Sequence, residues 1–396
     1  MTLNETPRAN RLHIGLFGKR NTGKSSLINA LTGQKVSLVS DVAGTTTDPV
    51  YKSMEIHGIG PCVLIDTAGF DDTGSLGNMR IEQTKKAMAK TDVAIMLFAA
   101  MPDQTERRWL QMLKQQNTPV ITVLNKLDIL SDNQMILDAI EHLCGTKPLL
   151  VSAKTGQGIE LVRQALINAL PDDFGQRSIT NGLVQDGDTV LLCMPQDIQA
   201  PRGRLILPQV QTLRELLDKK CLVMSVTTDK LPQALQSLIK PPKLIITDSQ
   251  VFKTVYEQKP KESMLTSFST LFAQYKGDID YFVKSTKAFE TLTERSKILI
   301  AEACTHVPLK EDIGREKLPR LLRARFGKNL QIDHVNGADF PEDLHGYALV
   351  IQCGACMFNR KYVMSRVQQA KEQGVPMSNY GVVLAYLTDI LDKIDY

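Results

Sequence analysis

The segment Gly18-Lys-Arg-Asn-Thr-Gly-Lys-Ser25 decides the fold of the first part of this 396-residue chain. It follows an apolar run at residues 12–17 and leads into a helical pattern at residues 26–31, which is the strand, turn and helix order of a phosphate-binding loop. Its glycines leave backbone N–H groups free to point at phosphate oxygens, and the following helix adds the positive end of its dipole. The residues predicted to contact the nucleotide in this segment are Gly18, Asn21, Thr22, Gly23, Lys24, Ser25 and Ser26.

Two further segments complete the predicted phosphate and magnesium site. Asp66-Thr-Ala-Gly69 ends a second apolar run, so we expect Asp66 to hold Mg²⁺ through water and the Gly69 amide to meet the γ-phosphate. Thr46 lies between the two segments and is predicted to bind Mg²⁺ beside Ser25. Lys24 is expected to reach the β- and γ-phosphates, so Lys24, Thr46 and Gly69 are the predicted catalytic residues.

The base is predicted from Asn125-Lys126-Leu-Asp128, which follows an apolar run at residues 120–124. A carboxylate at Asp128 can accept both N–H donors on the N1/N2 edge of guanine, whereas adenine has no such pair of donors. Ser152, Ala153 and Lys154 follow the next apolar run and complete the predicted base pocket. After a phosphate loop at these spacings, the motif indicates GTP, with Mg²⁺ as its metal.

Composition and charge indicate the class of protein and its cellular location. Apolar residues make up 43% of the chain and charged residues 23%, as in ordinary globular proteins, and a net charge of +4 is too small to indicate attraction to nucleic acid or membranes. No apolar stretch approaches the roughly 20 residues that span a bilayer. The first residues lack a signal-peptide core, so we expect a cytoplasmic protein whose cysteines are reduced.

Strand and helix patterns divide the chain into three blocks. The first ends with a helical pattern at residues 159–170 and a break at residues 171–175. The second alternates predicted strands (189–194, 221–227, 244–247) with predicted helices (209–219, 232–239), which favours a small parallel α/β layer. The third has predicted helices at 264–275, 361–373 and 383–394 and core strands at 298–301 and 347–351. We therefore predict an α/β chain with domains at residues 1–172, 180–260 and 261–396.

Three cysteines follow the two predicted strands of the third block. Cys304 and His306 come after the first strand, and Cys353-Gly-Ala-Cys356 comes after the second. Loops at the carboxyl ends of strands in an open α/β sheet converge, so these thiols are expected to meet, with Gly354 providing the turn. Three thiols in a reducing compartment indicate a metal site, and the spacing fits either Zn²⁺ with His306 as fourth ligand or an iron–sulfur cluster.

The nucleotide-binding part resembles the translation-factor-like GTPases related to tRNA-modifying and ribosome-assembly enzymes. Asn21 stands where the potassium-activated members of that group carry an Asn ligand for K⁺, and Phe70 stands where Ras-like proteins keep a water-orienting Gln. The resemblance therefore implies slow GTP hydrolysis that K⁺ stimulates by neutralising charge in the transition state.

A phosphate-loop domain followed by Cys304-Thr-His306 and then by Cys353-x-x-Cys356 resembles the maturation GTPases of [FeFe]-hydrogenase over the whole chain. The resemblance implies that Cys304, Cys353 and Cys356 hold a [4Fe–4S] cluster. It also implies a scaffold that receives a transient di-iron precursor from radical-SAM maturases and delivers it to apo-[FeFe]-hydrogenase. The second domain would serve for dimerisation, giving a homodimer, and the third would bind the cluster.

One position departs from that family's pattern. Many members carry a His directly before the C-x-x-C motif, and here the residue is Gln352, whose neutral amide is a poor iron ligand. The fourth ligand is left open between His306, Glu311, Asp312 and an exogenous group. The competing function, an RNA-modifying or ribosome-assembly GTPase with a structural zinc site, predicts zinc in place of iron and sulfide.

Overall fold

The computed structural model describes residues 6–33, 49–69, 75–130, 133–171, 174–195, 205–303 and 313–396. The chain divides into two compact units, residues 1–174 and 175–396. None of the described helices combines the length and the apolar character needed to cross a bilayer.

The first unit is a six-stranded sheet with helices on both faces. Its strands are β1 Leu12–Phe17, β2 Val50–Ile56, β3 Gly60–Asp66, β4 Val93–Phe98, β5 Val120–Leu124 and β6 Leu149–Leu150. Its helices are α1 Lys24–Thr32, α2 Ser75–Met88, α3 Gln104–Gln115, α4 Gln134–Cys144 and α5 Ile159–Asn168. The strand order is β2-β3-β1-β4-β5-β6, and every pair is parallel except β2 with β3.

The position of the helices explains the composition of the central strands. All residues of β1 and β4 are buried because both faces of the sheet are covered. On one face, Leu27 of α1 and Val162 of α5 join a single apolar cluster with alternate residues of β1. On the other face, Trp109 of α3 and Ile140 of α4 pack against Phe17 and alternate residues of β4. The sheet thus separates two apolar layers and holds the loops at its carboxyl edge in place.

The second unit contains two four-stranded parallel sheets. The strands of the first are β7 Thr189–Cys193, β8 Leu222–Val226, β9 Leu244–Thr247 and β10 Met264–Ser267, in the order β10-β9-β7-β8. The strands of the second are β11 Lys297–Glu302, β12 Gln331–Asn336, β13 Leu349–Gln352 and β14 Met377–Asn379, in the order β12-β11-β13-β14. The helices are α6 Leu207–Asp218, α7 Leu231–Ser237, α8 Phe252–Gln258, α9 Phe268–Lys276, α10 Ile279–Lys284, α11 Leu318–Phe326, α12 Arg360–Glu372 and α13 Tyr380–Leu387.

The two sheets share elements, which accounts for their forming one compact unit. Phe268 and Leu271 of α9 pack under the first sheet, whereas Ala273 of the same helix packs under the second. The C-terminal segment returns to the first sheet, where the Asp395 carboxylate accepts a hydrogen bond of 3.0 Å from the Leu265 amide. The boundary placed at residues 260/261 stays a prediction, and β10, which completes the first sheet, lies just after it.

Two predicted helices differ from the structure. The helix predicted at residues 383–394 begins earlier and ends at Leu387, as α13. The segment at residues 264–275 was predicted to be a single helix, but its first four residues form β10, which pairs with β9. The helix begins only at Phe268 because the Ser267 side chain caps it, accepting a hydrogen bond from the Thr270 amide at 3.1 Å. A short buried strand followed directly by a helix has no hydrophobic period of its own to distinguish it from the helix.

Candidate nucleotide and cysteine sites

The predicted phosphate loop connects β1 to α1. Lys24 is buried, and its ammonium group donates hydrogen bonds to the carbonyls of Gly18 at 2.9 Å and Lys19 at 2.8 Å. Asn21 has a φ of 58°, in the left-handed region that Asn tolerates better than most residues. Gly23 has a φ of 93°, and a Cβ there would collide with the Asn125 side chain. The loop therefore curls around its own lysine and requires glycine where it meets the base-recognition strand.

Two of the predicted magnesium ligands lie together. The Ser25 hydroxyl donates a hydrogen bond of 2.6 Å to the Asp66 carboxylate, because α1 begins beside the carboxyl end of β3. The Thr67 hydroxyl donates to the Leu16 carbonyl and holds the segment leading to Gly69 against β1. Thr46 and Phe70 lie outside the described residues. An alcohol and a carboxylate at this spacing are suitable oxygen donors for Mg²⁺.

The buried Asn125 joins the base-recognition residues to the phosphate loop. Its amide nitrogen donates to the Thr22 carbonyl at 2.8 Å, and its amide oxygen accepts from the Ala153 backbone N–H at 3.0 Å. The Ser152 hydroxyl donates to the Asp128 carboxylate at 2.7 Å, and the Lys154 ammonium lies 3.9 Å from the other carboxylate oxygen. The hydrogen bond from Ser152 lowers the pKa of Asp128. Asp128 is therefore held as an ionised acceptor, the form needed to pair with two N–H donors of a base.

A further contact of the phosphate loop has no sequence motif. The Lys19 ammonium lies 2.7 Å from the Asp103 carboxylate and 3.1 Å from that of Glu106, both at the N-terminus of α3. Asp103 and Glu106 also form a capping box with each other's backbone amides. Burial raises the pKa of Glu106, opposed by hydrogen bonds from the Asp103 amide and Lys19. The start of α3 is thus tied to the phosphate loop by charge.

The cysteine loop, defined here as Cys353–Phe358, leaves the carboxyl end of β13. Strands β11 and β13 are parallel neighbours in which Ala301 lies opposite Gln352, so both strands end at the same edge of the sheet. The Cys353 sulfur accepts hydrogen bonds from the backbone N–H groups of Ala303 at 3.1 Å and Ala355 at 3.4 Å. Cys304 and His306, like Glu311 and Asp312, lie outside the described residues. Among the residues that are described, no three His, Cys, Asp or Glu side chains form a possible metal-binding group.

The turn of the cysteine loop differs from the expectation in one detail. Gly354 was predicted to provide it, but the left-handed residue is Ala355, with a φ of 48°. The Ala355 amide can donate to the Cys353 sulfur two residues earlier only when the chain curls back at this point. The sulfur thus fixes the turn, and a glycine at position 354 is not needed for a positive φ.

A buried lysine, which no sequence pattern singled out, supports this loop. Lys276 ends α9, and its ammonium group donates to the carbonyls of Ala355, Cys356 and Phe358 at 3.3, 3.1 and 2.8 Å. Burial lowers the pKa of Lys276 to about 8, while the charges of Cys356 and Cys353 act in the opposite direction. Burial also raises the pKa of the Cys353 thiol to about 11.

Gln352 is buried, and its side-chain oxygen is occupied by a contact with a cation. Its amide oxygen accepts a hydrogen bond of 3.5 Å from the Arg366 guanidinium, which is itself buried. Arg366 donates a shorter bond of 2.6 Å to the Gly337 carbonyl, in the loop that follows β12. The position directly before Cys353 therefore contacts a cation.

Comparison with known proteins relates the two units to different groups. The model of the "50S ribosome-binding GTPase" family matches residues 13–126. GTPase Der from Wolinella succinogenes is 33% identical over 180 residues, which is 43% of this chain and 38% of that protein. The tRNA modification GTPase MnmE from Nitrosomonas europaea is 37% identical over 158 residues, which is 39% of this chain and 34% of that protein. The chain thus spans only about a third of the length of these curated relatives.

Similarity to solved structures is weaker. Era in complex with MgGDPNP and a segment of 16S ribosomal RNA is 20% identical to this chain. The match covers 55% of this chain and 94% of the Era chain, with a TM-score of 0.38. Era from Aquifex aeolicus bound to GDP·AlF4⁻ is 19% identical, covers 64% of this chain and 99% of its own, and gives a TM-score of 0.37.

The second unit matches two family models of one kind. The "Hydrogen maturase F dimerization domain" matches residues 179–277, which contain β7–β10 and α9. The "Hydrogen maturase F tetramerization domain" matches residues 280–394, which contain β11–β14 and the cysteine loop. The GTPase model matches the preceding part, including the phosphate loop and Asn125. With these domains in this order, the chain belongs to the hydrogen maturase F family of GTPases.

Proposed function

We propose that this protein is a GTP-hydrolysing scaffold that binds a [4Fe–4S] cluster and delivers the di-iron precursor of the active site to apo-[FeFe]-hydrogenase. The observation that carries the proposal is the joining of a GTPase unit to a sheet whose edge presents a C-x-x-C loop beside the end of β11, in a chain of this family. Radical-SAM maturases would supply the precursor. The two oligomerisation domains support assembly of the chain, beginning with a homodimer.

GTP is the nucleotide that the first unit is suited to bind. Asp128 is ionised and oriented by Ser152, so it can accept the paired N–H donors of guanine. Lys24 now satisfies loop carbonyls and would exchange them for phosphate oxygens, which are stronger acceptors. Ser25 and Asp66 would bind Mg²⁺ together with Thr46, and the Gly69 amide would meet the γ-phosphate.

Hydrolysis is proposed to be slow and stimulated by K⁺. Phe70 offers no amide to orient a water molecule, so transition-state charge must be neutralised in another way. Asn21 is held in a left-handed conformation on the phosphate loop, from which its side-chain oxygen would coordinate K⁺. Hydrolysis would act as a switch if GTP and GDP differ in their contacts with the predicted γ-phosphate residues Thr46 and Gly69, since a nucleotide shifts a conformational equilibrium only through contacts that differ between the states.

The cysteine site fits an iron–sulfur cluster on the chemistry of its donors. Cys353 receives two backbone N–H hydrogen bonds at its sulfur, which lower the pKa of the thiol against the larger effect of burial, and Cys356 follows within the same loop. Cys304 comes two residues after β11, the strand adjacent to β13. The cluster would supply an iron atom open to an external ligand, with His306, Glu311 or Asp312 as internal candidates for the fourth position. Gln352 is excluded from our ligand set because its oxygen faces Arg366.

Anaerobic metal analysis tests this function. Reconstituted protein should contain iron and acid-labile sulfide, and Cys353→Ser or Cys356→Ser should lose most of both. Cys144→Ser is the matched control, since Cys144 is a half-buried thiol in the other unit. Zinc without sulfide in the protein as isolated and after reconstitution would refute the proposal and favour the RNA-modifying or ribosome-assembly alternative. Adding cyanide or imidazole should alter the EPR signal of the reduced protein if the fourth position is exchangeable.

A further inference from the structure

Two buried cations lie beside the cysteine loop. Lys276 and Arg366 each expose only 2% of their surface, and neither forms an ion pair with any residue in the described part of the chain. Burying a charge is unfavourable unless an opposite charge is near. Two such residues at one edge of one sheet therefore call for a negative charge in the same place.

Lys276 contacts the cysteine loop from the end of α9. Its three ammonium hydrogens are matched by three carbonyl acceptors of the loop, at 2.8–3.3 Å. These neutral acceptors fix the loop but leave the positive charge uncompensated. Because one of the acceptors is the Cys356 carbonyl, the charge lies next to a predicted cluster ligand.

Arg366 approaches from α12. Its guanidinium carbon lies 4.6, 4.8 and 4.7 Å from the ring centres of Phe340, Phe358 and Tyr362, and Phe358 ends the cysteine loop. Two of its nitrogens bond to neutral oxygens of Gly337, Gln352 and Tyr362. Its Nε is buried and has no hydrogen-bond partner among the described residues. Aromatic faces compensate a cation only in part.

We propose that Lys276 and Arg366 are the charge-compensating residues of the cysteine site, stabilising its thiolates and the anionic cluster bound to them. The inference rests on the proposed function, because the negative charge is that of the thiolate-bound cluster. A cluster held by thiolates is anionic, and its negative charge grows by one unit on one-electron reduction. Nearby cations therefore stabilise the reduced form and raise the reduction potential, one of the ways in which a protein tunes such a cluster.

The test is the midpoint potential of the reconstituted cluster, measured by EPR-monitored titration. Lys276→Gln keeps N–H donors for the loop carbonyls but removes the positive charge. Arg366→Gln likewise keeps N–H donors, here for the oxygens of Gln352 and Gly337, and removes the positive charge. Each should shift the one-electron equilibrium about tenfold toward the oxidised form, which corresponds to about 59 mV more negative. Iron release to a chelator should also be faster. Arg366→Lys, which retains the charge, should stay near the wild-type potential.

Matched controls separate charge from general effects of substitution. Lys284→Gln and Arg295→Gln remove exposed cations of the same unit and should leave the potential unchanged. Should Lys276→Gln fail to fold, the Arg366→Gln and Arg366→Lys pair decides the question. A cluster that assembles with an unchanged potential in the charge-removing variants would overturn this inference alone. Wild-type protein that takes up no iron or sulfide would instead refute the proposed function, and this inference with it.

Discussion

At the scale of single residues, Asn125 holds the nucleotide site together. One side-chain amide bonds to the phosphate loop at Thr22 and to the base-pocket backbone at Ala153, and it fills the space beside Gly23. Asp128 is fixed separately, through Ser152. The position of the predicted base pocket relative to the predicted phosphate site is therefore set by buried hydrogen bonds before any nucleotide binds, which favours tight binding because little ordering is left to do.

Asp128→Asn should weaken GTP binding and favour xanthine nucleotides. The substitution replaces an acceptor of two N–H bonds with a group that presents one acceptor and one donor. Losing charge-assisted hydrogen bonds of about 1.5–3 kcal/mol corresponds to about 10–150-fold in GTP affinity. Competition titrations with GTP, XTP and ATP measure it, with the exposed Asp138→Asn as control. An unchanged preference for GTP in the Asp128 variant would show that this carboxylate does not read the base.

Asn21→Gly should abolish the stimulation of GTP hydrolysis by K⁺ relative to Na⁺. Glycine is the suitable replacement because it keeps the φ of 58° without strain, whereas alanine would be strained there. The rates are compared in matched KCl and NaCl, with GTP affinity measured in both salts as the control. Wild-type rates that are equal in the two salts would show Asn21 to be an ordinary loop residue.

At the scale of elements, the first turn of α3 is attached to the phosphate loop through Lys19. Glu106 is buried, and Lys19 is its cationic partner. Lys19→Met should destabilise the first unit by about 1–3 kcal/mol, because it leaves a buried carboxylate without that partner. Urea unfolding followed by the fluorescence of Trp109, the single tryptophan of the chain and a residue of α3, measures it. Lys147→Met, at an exposed lysine of the same unit, is the control.

The same pair makes a prediction about pH. Because burial raises the pKa of Glu106 in the folded state, ionisation of this residue favours unfolding as pH rises through that pKa. Lys19 opposes this effect, so its removal raises the pKa further and enlarges the loss of stability at high pH. The destabilisation by Lys19→Met should therefore be smaller at pH 5 than at pH 7.5. A difference between variant and wild type that is constant over this range, or largest at pH 5, would contradict the role of Glu106.

Local sequence patterns predicted most of the architecture, whereas contacts between residues far apart in the sequence could not be predicted. The α/β architecture could be predicted from the nucleotide-binding motifs and from the alternation of strand and helix patterns, since each motif lies where a strand passes into a loop. The contact between Lys19 and Glu106 and that between Lys276 and the cysteine loop join residues 79 or more positions apart, with no spacing to reveal them. β10 was missed because Met264-Leu-Thr-Ser267 is too short to show a period of two before α9 begins.

At the scale of the whole molecule, nucleotide residues and cysteine loop belong to different compact units. Asp128→Asn should therefore leave iron and sulfide content unchanged, and Cys353→Ser should leave the intrinsic rate of GTP hydrolysis unchanged. Metal analysis and a phosphate-release assay on the same two variants, with wild type as reference, check both statements. Loss of hydrolysis in the cysteine variant would show that the two sites depend on each other even without partner proteins.

Activation of apo-[FeFe]-hydrogenase directly tests the proposed delivery of the di-iron precursor. The protein is loaded with precursor by the radical-SAM maturases, separated from them, and mixed anaerobically with the apo-enzyme, and hydrogen evolution is recorded. Wild-type protein should activate the hydrogenase, Cys353→Ser should not, and the control Cys144→Ser should match wild type. Activation by the Cys353 variant equal to that by wild type, or no activation by loaded wild-type protein, would contradict the proposed scaffold function.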